Sequence, residues 1–355
     1  FYFIALAFFA KIIRTKMPGE SVPSYLQTRF DKKTAKLYSI AWIIYGFFYI
    51  PIQLKTVSSI IAIVLPNVNI TVAMIIGLTL AVLYTSFSGM KGAETVGRIV
   101  CIGIYILLII FVFLNLKKFD GYGGLLSQLP KEYSSMTNMP IQRIIAWIFG
   151  GCISTAVMQS VLQPLLAAKD PESAQKGSII GYLIAAPICF FTALCGMMAK
   201  ASGANLGDGS TAFAYTIDFF SSPIFAGIIF AFTTLIISAT MATMMLATGT
   251  IITNIYKTDI NPNAKDEKIL KISKIVTFIF AYLTLIPASI IPSESLTNLF
   301  LTLQHVAAAP VSFSIIVGLT WNKATKQGAF WSMLLGIIVG ITWMILGPVS
   351  YTHLR

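Results

Sequence analysis

Ten long apolar runs alternate with short polar segments along this chain. The hydrocarbon core of a bilayer is about 30 Å thick, so a helix needs roughly 20 apolar residues to cross it. Most of the runs reach or approach that length, and nearly all charged residues lie between them. The pattern therefore predicts an all-α, polytopic membrane protein, with apolar runs at about 1–13 (partial), 37–65, 70–89, 98–116, 141–166, 177–200, 222–256, 270–291, 296–320 and 328–347.

Basic residues are divided unequally between alternate loops. When the loops are assigned to the two sides in turn, 18 Lys and Arg fall on one side and 5 on the other, with Lys55 and Arg355 left out. Cytoplasmic loops of membrane proteins are enriched in Lys and Arg, so the first side, with loops Lys11–Lys36 and Lys257–Lys274, is predicted to be cytoplasmic. The net charge of +12 is thus a topology signal. A nucleic-acid partner is not expected, because no basic stretch is interleaved with aromatic residues on a soluble domain.

Composition supports the same class of protein, since 56% of residues are hydrophobic and 11% are charged. The longest loop has about 25 residues, whereas a soluble domain needs about 50 or more. We therefore predict one transmembrane domain over 1–349. Phe1 begins inside an apolar run, so at least one further span is expected before it. We interpret 350–355 as a non-native tail.

The sequence offers no residue pattern for covalent chemistry. Its four cysteines all lie in apolar runs and form no CxxC pair, and its two histidines are far apart. No HExxH, GxSxG, P-loop or GxGxxG pattern occurs. These features predict a protein that is not an enzyme and has no cofactor.

Polar residues inside apolar runs are candidates for function, because an unpaired polar group in lipid costs several kcal/mol. In the seventh run, Thr234, Leu235 and Ser238 share one helical face. A hydroxyl and a nearby carbonyl can form half of an oxygen site for a small cation. The alternative is that these hydroxyls only bond back to the carbonyl four residues earlier and pack helices together.

In the fifth run, Gly150, Gly151 and Pro164 weaken the helix, and Gln159 and Gln163 lie one turn apart. Broken helices with polar side chains near mid-membrane line solute sites in transporters. The alternative is hydrogen bonding between helices, worth about 1 kcal/mol per bond.

The second run contains Gln53 and, near its middle, Lys55. A central lysine costs about 3 kcal/mol on membrane-insertion scales. Lys55 could face a watery cavity, hold a solute carboxylate or replace a bound cation with its own charge. The alternative is a lysine that extends toward the headgroups or is paired structurally.

Four segments of the chain resemble sequence motifs that occur together in one protein family. Ser21–Phe30 is similar to "TVPEFLxxRF", and Gln159–Asp170 to "DQxxxQRxLAAKD" from its first Gln onward. Asn254–Lys257 resembles "DIYK", and Gly318–Ala329 resembles "GLFWKRATxxGA". The four matches cover most of the chain in family order. On these motifs the chain resembles the sodium/solute symporters, a family with a LeuT-like inverted-repeat fold.

The resemblance implies alternating access around a mid-membrane site, with sodium driving solute uptake. It implies a sodium site whose ligands on this chain are the Leu235 carbonyl and the side chains at Ser238 and Ala239. Alanine stands there in place of the family's second hydroxyl. Other departures occur, since Gly97 replaces the Asp of a second sodium site found in some members, Met158 replaces Asp or Asn, and Pro164 replaces Arg.

We therefore predict a secondary active transporter of the cell membrane that binds a small organic solute and sodium within the lipid bilayer. The candidate solute-binding residues are Gln159, Thr155, Gln53 and Lys55. An alternative within the same family is the membrane sensor module of a signalling protein. A channel is disfavoured, because no ring of charges or repeated filter sequence is present. The sequence does not identify the solute.

Overall fold

The structure is a computed structural model that describes residues 2–17, 21–134, 140–155, 158–206, 211–292 and 296–346. Within these residues the chain forms fifteen α-helices and no strand. They are α1 Tyr2–Lys16, α2 Val22–Arg29, α3 Lys32–Val64, α4 Ile70–Leu116, α5 Gly121–Ser127, α6 Ile141–Thr155, α7 Gln159–Leu166, α8 Pro171–Ala201, α9 Ala212–Phe220, α10 Pro223–Ile255, α11 Asp266–Leu283, α12 Leu285–Ile290, α13 Leu296–Leu303, α14 Ala309–Thr320 and α15 Lys326–Leu346. Single π-helical segments follow α10 at Tyr256–Ile260 and α13 at Gln304–Ala308.

The all-α prediction is confirmed, and most predicted runs coincide with helices. In the described part of the chain, six helices are long and apolar enough to cross a membrane. Two shorter apolar helical stretches, Ile70–Thr85 and Lys326–Thr342, accompany them. The figure of about ten spans is not confirmed by this count. The predicted tail at 350–355 lies outside the described residues, and the single domain over 1–349 stays a prediction.

One prediction differs from the structure. We expected separate spans at 70–89 and 98–116 with a basic turn between them, but α4 is one continuous helix of 47 residues. At 1.5 Å per residue its length is about 70 Å, more than twice a bilayer core. The intervening segment contains no proline and only isolated glycines, so its sequence does not require the backbone to turn.

Side-chain caps define the starts of several helices. The carboxylate of Asp31 accepts a hydrogen bond from the Thr34 N–H (2.8 Å) at the start of α3. Burial raises the pKa of Asp31, but the bonds from Thr34 and the charges of Lys326 and Lys33 outweigh burial and lower it. Hydrogen bonds from Ser173 likewise lower the pKa of Asp170, which caps α8. Both caps are therefore ionised at neutral pH.

Two apolar clusters form the core. The first joins α1–α3, α7 and the second half of α10 with α11–α15 and the start of α4. The second joins the latter part of α4 with α5, α9, the first half of α10 and the end of α8. Ile237 of α10 packs against both clusters, so the middle of α10 lies at the boundary between them.

The helices also fall into two packing groups. Helix α1 packs mainly against α8 and α6, and also touches α7. Helices α3, α4, α10 and α11 pack mainly against one another. Helix α14 contacts α15, α6 and α1, so it touches the first group as well. This division matters for any motion of one group against the other.

Helices α10 and α11 approach closely at Gly249, where an added Cβ would overlap the Thr277 hydroxyl. We expect Gly249→Ala to destabilise the protein by about 1–3 kcal/mol through overpacking. Combining it with Thr277→Ala should restore stability, because the remaining contacts, to Ser273 O at 3.6 Å and Thr277 Cβ at 3.4 Å, are ordinary. Thermal unfolding of the purified protein measures both changes. Equal losses in the single and double variants would contradict this packing.

The predicted topology can be tested at two exposed positions. Ser21 is buried as the cap of α2, so it is a poor labelling site, whereas Gln27 and Asn263 are exposed. We expect Gln27→Cys and Asn263→Cys, in a background without native cysteines, to resist an impermeant thiol reagent in intact cells and to react after permeabilisation. Labelling of either in intact cells would reverse the orientation.

Candidate functional site

Ser238 differs from most of the other hydroxyl residues of α10. Its Oγ is buried and has no hydrogen-bond partner among the described residues. A buried hydroxyl without a partner costs about 1–3 kcal/mol, so it calls for a ligand or another explanation. Six other hydroxyls of α10 bond back to carbonyls three or four residues earlier; they belong to Thr233, Thr240, Thr243, Thr248, Thr250 and Thr253.

The alternative that these hydroxyls only bond back to carbonyls of their own helix therefore describes most of α10 but not Ser238. Ser238 follows Ile237, at the boundary between the two core clusters. Leu235 has a largely exposed side chain (43%), so only its carbonyl could serve a site. Ala239 is half-buried and adds no oxygen. Of the three predicted sodium ligands, Ser238 alone brings a side-chain oxygen into the core.

The predicted span 141–166 is broken in the structure. Helix α6 ends at Thr155, and Met158 has an extended backbone (φ −66°, ψ 130°) before α7 begins at Gln159. The interruption lies between these helices and not at Gly150-Gly151, where the sequence indicated weakness. The Thr155 side chain lies outside the described set, so its predicted role is untested.

Gln159 is fully buried, and its contacts are with other helices. The Val22 N–H donates to Gln159 Oε1 at 2.8 Å, which supplies an acceptor to the first turn of α2. The backbone of Gln159 also forms a hydrogen bond with the Tyr38 hydroxyl of α3. Gln159 therefore joins α7 to α2 and α3. A solute contact for Gln159 stays a prediction.

Gln53 and Lys55 are not brought together. They are two residues apart on α3, which places them about 200° apart around the helix. The Gln53 amide donates to the Tyr49 hydroxyl at 2.8 Å, and the Tyr49 ring lies 6.0 Å from the Phe300 ring of α13. Gln53 thus faces α13.

Lys55 lies on another face of α3. Around the helix axis it is about 20° from Ile44, whose side chain is 50% exposed. Lys55 itself is half-buried, and its ammonium has no hydrogen bond or ion pair among the described residues. This position allows the extended, headgroup-directed lysine that we considered as an alternative. The solute-binding role of Lys55 remains to be tested.

A row of stacked rings runs along α3. Ring centroids of Tyr38 and Trp42 are 6.2 Å apart, and those of Trp42 and Tyr45 and of Tyr45 and Tyr49 are each 5.4 Å apart. The row connects the Gln159 contact at Tyr38 with the Phe300 contact at Tyr49. The indole N–H of Trp42 is buried without a hydrogen-bond partner in the described residues.

Gln304 is a candidate that our sequence reasoning missed. It opens the π-helical segment between α13 and α14, is 7% exposed, and its Oε1 has no hydrogen-bond partner among the described residues. The segment packs against α3 and α6. π-Helical turns are often found at functional sites. A sequence signal was present: a single glutamine in the apolar run 296–320, six residues before Pro310, which disrupts regular helix bonding.

These groups provide oxygens, amides and aromatic faces, which suit noncovalent binding. Within the described residues, no three His, Cys, Asp or Glu side chains cluster in a way that could hold a metal ion. Oxygen ligands from a hydroxyl and backbone carbonyls suit a small hard cation. Amide groups near aromatic rings suit a polar organic molecule.

Comparison with known proteins identifies the family. The model of the sodium:solute symporter family matches residues 1–336. The chain belongs to this family. With its apolar helices, this makes it a multi-pass membrane protein, and the family implies the cell membrane.

Individual relatives are distant. "Sodium/glucose cotransporter 4" of Danio rerio is 22% identical over 92% of this chain and 56% of its own length. "Uncharacterized symporter YodF" of Bacillus subtilis (strain 168) is 24% identical over 95% of this chain and 70% of its own. This symporter-family chain therefore spans little more than half of the Danio rerio relative.

A solved structure shares the fold. A Na+-coupled sialic acid symporter in a substrate-bound, outward-open state matches with a TM-score of 0.70 at 15% sequence identity. The match covers 98% of this chain and 83% of that chain. The LeuT-like fold predicted from the motifs is thereby confirmed. The sensor alternative is not supported, since these relatives are named as cotransporters or symporters.

Proposed function

We propose that this protein, as part of its full-length form, carries a small polar organic solute together with sodium by alternating access. Membership of the sodium:solute symporter family supports symport. The observation that carries the sodium part is the buried, unpartnered Ser238 hydroxyl on a helix whose other hydroxyls mostly bond back to their own backbone. A cation would provide that hydroxyl with a partner.

The chain's own residues act through binding and not through bond chemistry. Ser238 Oγ and the Leu235 carbonyl would hold the ion, and oxygens from outside this helix or water would complete its shell. We propose that Gln304 and Gln53 contact the solute beside the rings of Tyr49 and Phe300. Ion and solute would bias the equilibrium between two states according to their different affinities for each.

The proposal is tested by uptake in proteoliposomes that contain the full-length protein. A panel of labelled sugars, amino acids, carboxylates and vitamins is supplied with an inward sodium gradient or an equal potassium gradient. We expect one class to accumulate above equilibrium with sodium only. Equal accumulation under both gradients would reject sodium coupling, and a lack of uptake across a broad panel would weigh against transport.

A further inference from the structure

Helix α2 lies at one end of the helix bundle. That end carries the two most basic loops, Lys11–Lys36 and Lys257–Lys274, and is here called the basic end. It buries Val22, Pro23, Tyr25 and Leu26, so one face is packed against the bundle. Burial, opposed by the charge of Arg29, raises the pKa of Tyr25 to about 12, so this hydroxyl is neutral at physiological pH. Helix α2 is joined to α3 by only two residues and must follow its motion.

Helix α7 packs against α1 and α8 of the other packing group, and it also contacts α10. Arg14 of α1 donates to the Ala168 carbonyl just after α7 at 3.0 Å, which ties α7 to α1. The Gln159 contacts described above then cross between the groups, from α7 to Val22 of α2 and to Tyr38 of α3. Alternating access moves one group of helices against the other, so contacts of this kind must change in the cycle.

Arg29 fastens the opposite end of α2 to α14. Its guanidinium donates to the Gly318 carbonyl and to the Trp321 and Asn322 carbonyls, each at 3.2 Å. Gly318 lets α2 approach closely, since an added Cβ would lie 2.9 Å from the Phe30 ring and 3.1 Å from the Tyr25 hydroxyl. Helix α2 is thus held at its start by Gln159 and at its end by α14.

A small cavity lies behind α2. Its lining includes Pro23 and Gln27 of α2, Ala35 and Ser39 of α3, and Asn254 near the end of α10. Ala35 and Ser39 are buried. Movement of α2 away from the bundle would expose Ala35 and Ser39 to solvent at the basic end.

We propose that α2 is a latch for the basic end, and that the hydrogen bond from the Val22 N–H to Gln159 Oε1 holds it closed. Gln159 is then a positioning residue in the transport cycle. The bond connects the two helix groups at a point where they must separate for the basic end to open. Loss of the bond shifts the equilibrium toward the open basic end even without ion or solute.

The latch rests on the alternating access proposed above, but its test does not require transport. The test uses thiol labelling of purified full-length protein without sodium or solute. The reporter is Ala35→Cys in a background without native cysteines. Gln159→Met removes the acceptor at similar length, and Val22→Pro removes the donor. Proline is tolerated at the first position of a helix, and Ser21 already has the extended backbone (φ −152°, ψ 152°) that a following proline requires.

We expect either variant to raise the labelling rate of Ala35→Cys about tenfold, the size expected for one buried hydrogen bond. Because both variants break the same bond, the double variant should label no faster than either single variant. Thr28→Ala is the matched control on α2, because that exposed hydroxyl bonds only to carbonyls of its own helix.

A second reporter distinguishes opening of the latch from general loosening of the fold. Cys195 is fully buried in the other core cluster, and a protein with Cys195 as its only cysteine reports opening there. The latch predicts an unchanged Cys195 rate in Gln159→Met and Val22→Pro. A parallel rise at Cys195, additive effects in the double variant, or no change at Ala35→Cys would each overturn the proposal.

Discussion

Replacing Ser238 by alanine should raise the sodium concentration needed for half-maximal uptake by roughly 10- to 100-fold. The basis is a loss of about 1.5–3 kcal/mol when a hydrogen-bonding group is removed from a charged partner. Ser238 is the side-chain oxygen that the predicted sodium site retains on α10, since Ala239 replaces the second hydroxyl. Ala239→Ser should therefore act in the opposite direction and strengthen sodium dependence. Sodium titration of uptake in proteoliposomes measures both.

Thr240→Ala is the matched control. Its hydroxyl lies on the same helix but is exposed and bonds back to the Ile236 carbonyl at 3.0 Å. We expect no change in sodium dependence there. Lys55 provides the competing explanation, in which its ammonium takes the place of a cation. If Ser238→Ala leaves the sodium titration unchanged while Lys55→Ala abolishes uptake, the lysine explanation is correct and the sodium site is vestigial.

Gln304→Met should weaken solute transport and stabilise the protein at the same time. The Gln304 Oε1 is buried without a partner, and an apolar replacement of similar shape removes that cost of about 1–3 kcal/mol. The same oxygen would be the group that accepts a hydrogen bond from the solute. We expect the Tm to rise and the solute KM to increase about tenfold or more. Thermal unfolding and uptake kinetics on the same preparation give both values.

Gln53→Met is the control variant for the effect of Gln304→Met on the Tm. The Gln53 amide already has a partner in the Tyr49 hydroxyl, so its removal should lower the Tm. A lower Tm for Gln304→Met with unchanged KM would instead show that Gln304 packs helices and does not contact solute. The opposite changes in Tm separate a glutamine whose buried oxygen has no partner among the described residues from one whose amide is already hydrogen-bonded.

The sequence predicted helices well where apolar length and caps agree. Asp31, Asp170 and Ser222 precede α3, α8 and α10 and accept bonds from their first turns. It could not predict that α4 continues through the segment around Lys91, because short charged segments without proline are compatible with a helix and with a turn. Tertiary context decides such cases.

The candidate site was partly readable from the sequence. The family motif located Ser238, and the structure adds that its hydroxyl lacks the back-bond that most other hydroxyls of α10 form. The residues around Gln159 indicated a broken helix, but its hydrogen bond to Val22, 137 residues away in sequence, depends on how α2 packs. Gln304 was missed because a single glutamine in an apolar run gives no periodic signal. It became a candidate because its buried Oε1 has no hydrogen-bond partner among the described residues.

The row of rings along α3 has a consequence for the fluorescence of the protein. Trp42 is 3% exposed and lies between Tyr38 and Tyr45, whereas Trp321 and Trp331 are more than half exposed. Its indole emission should therefore be blue-shifted and protected from aqueous quenchers. Since the same row touches the Gln159 backbone at one end and Phe300 at the other, solute arrival and opening of the basic end should both alter that emission. With the other four tryptophans replaced, Trp42 is an intrinsic fluorophore for following these changes in real time, without an attached dye.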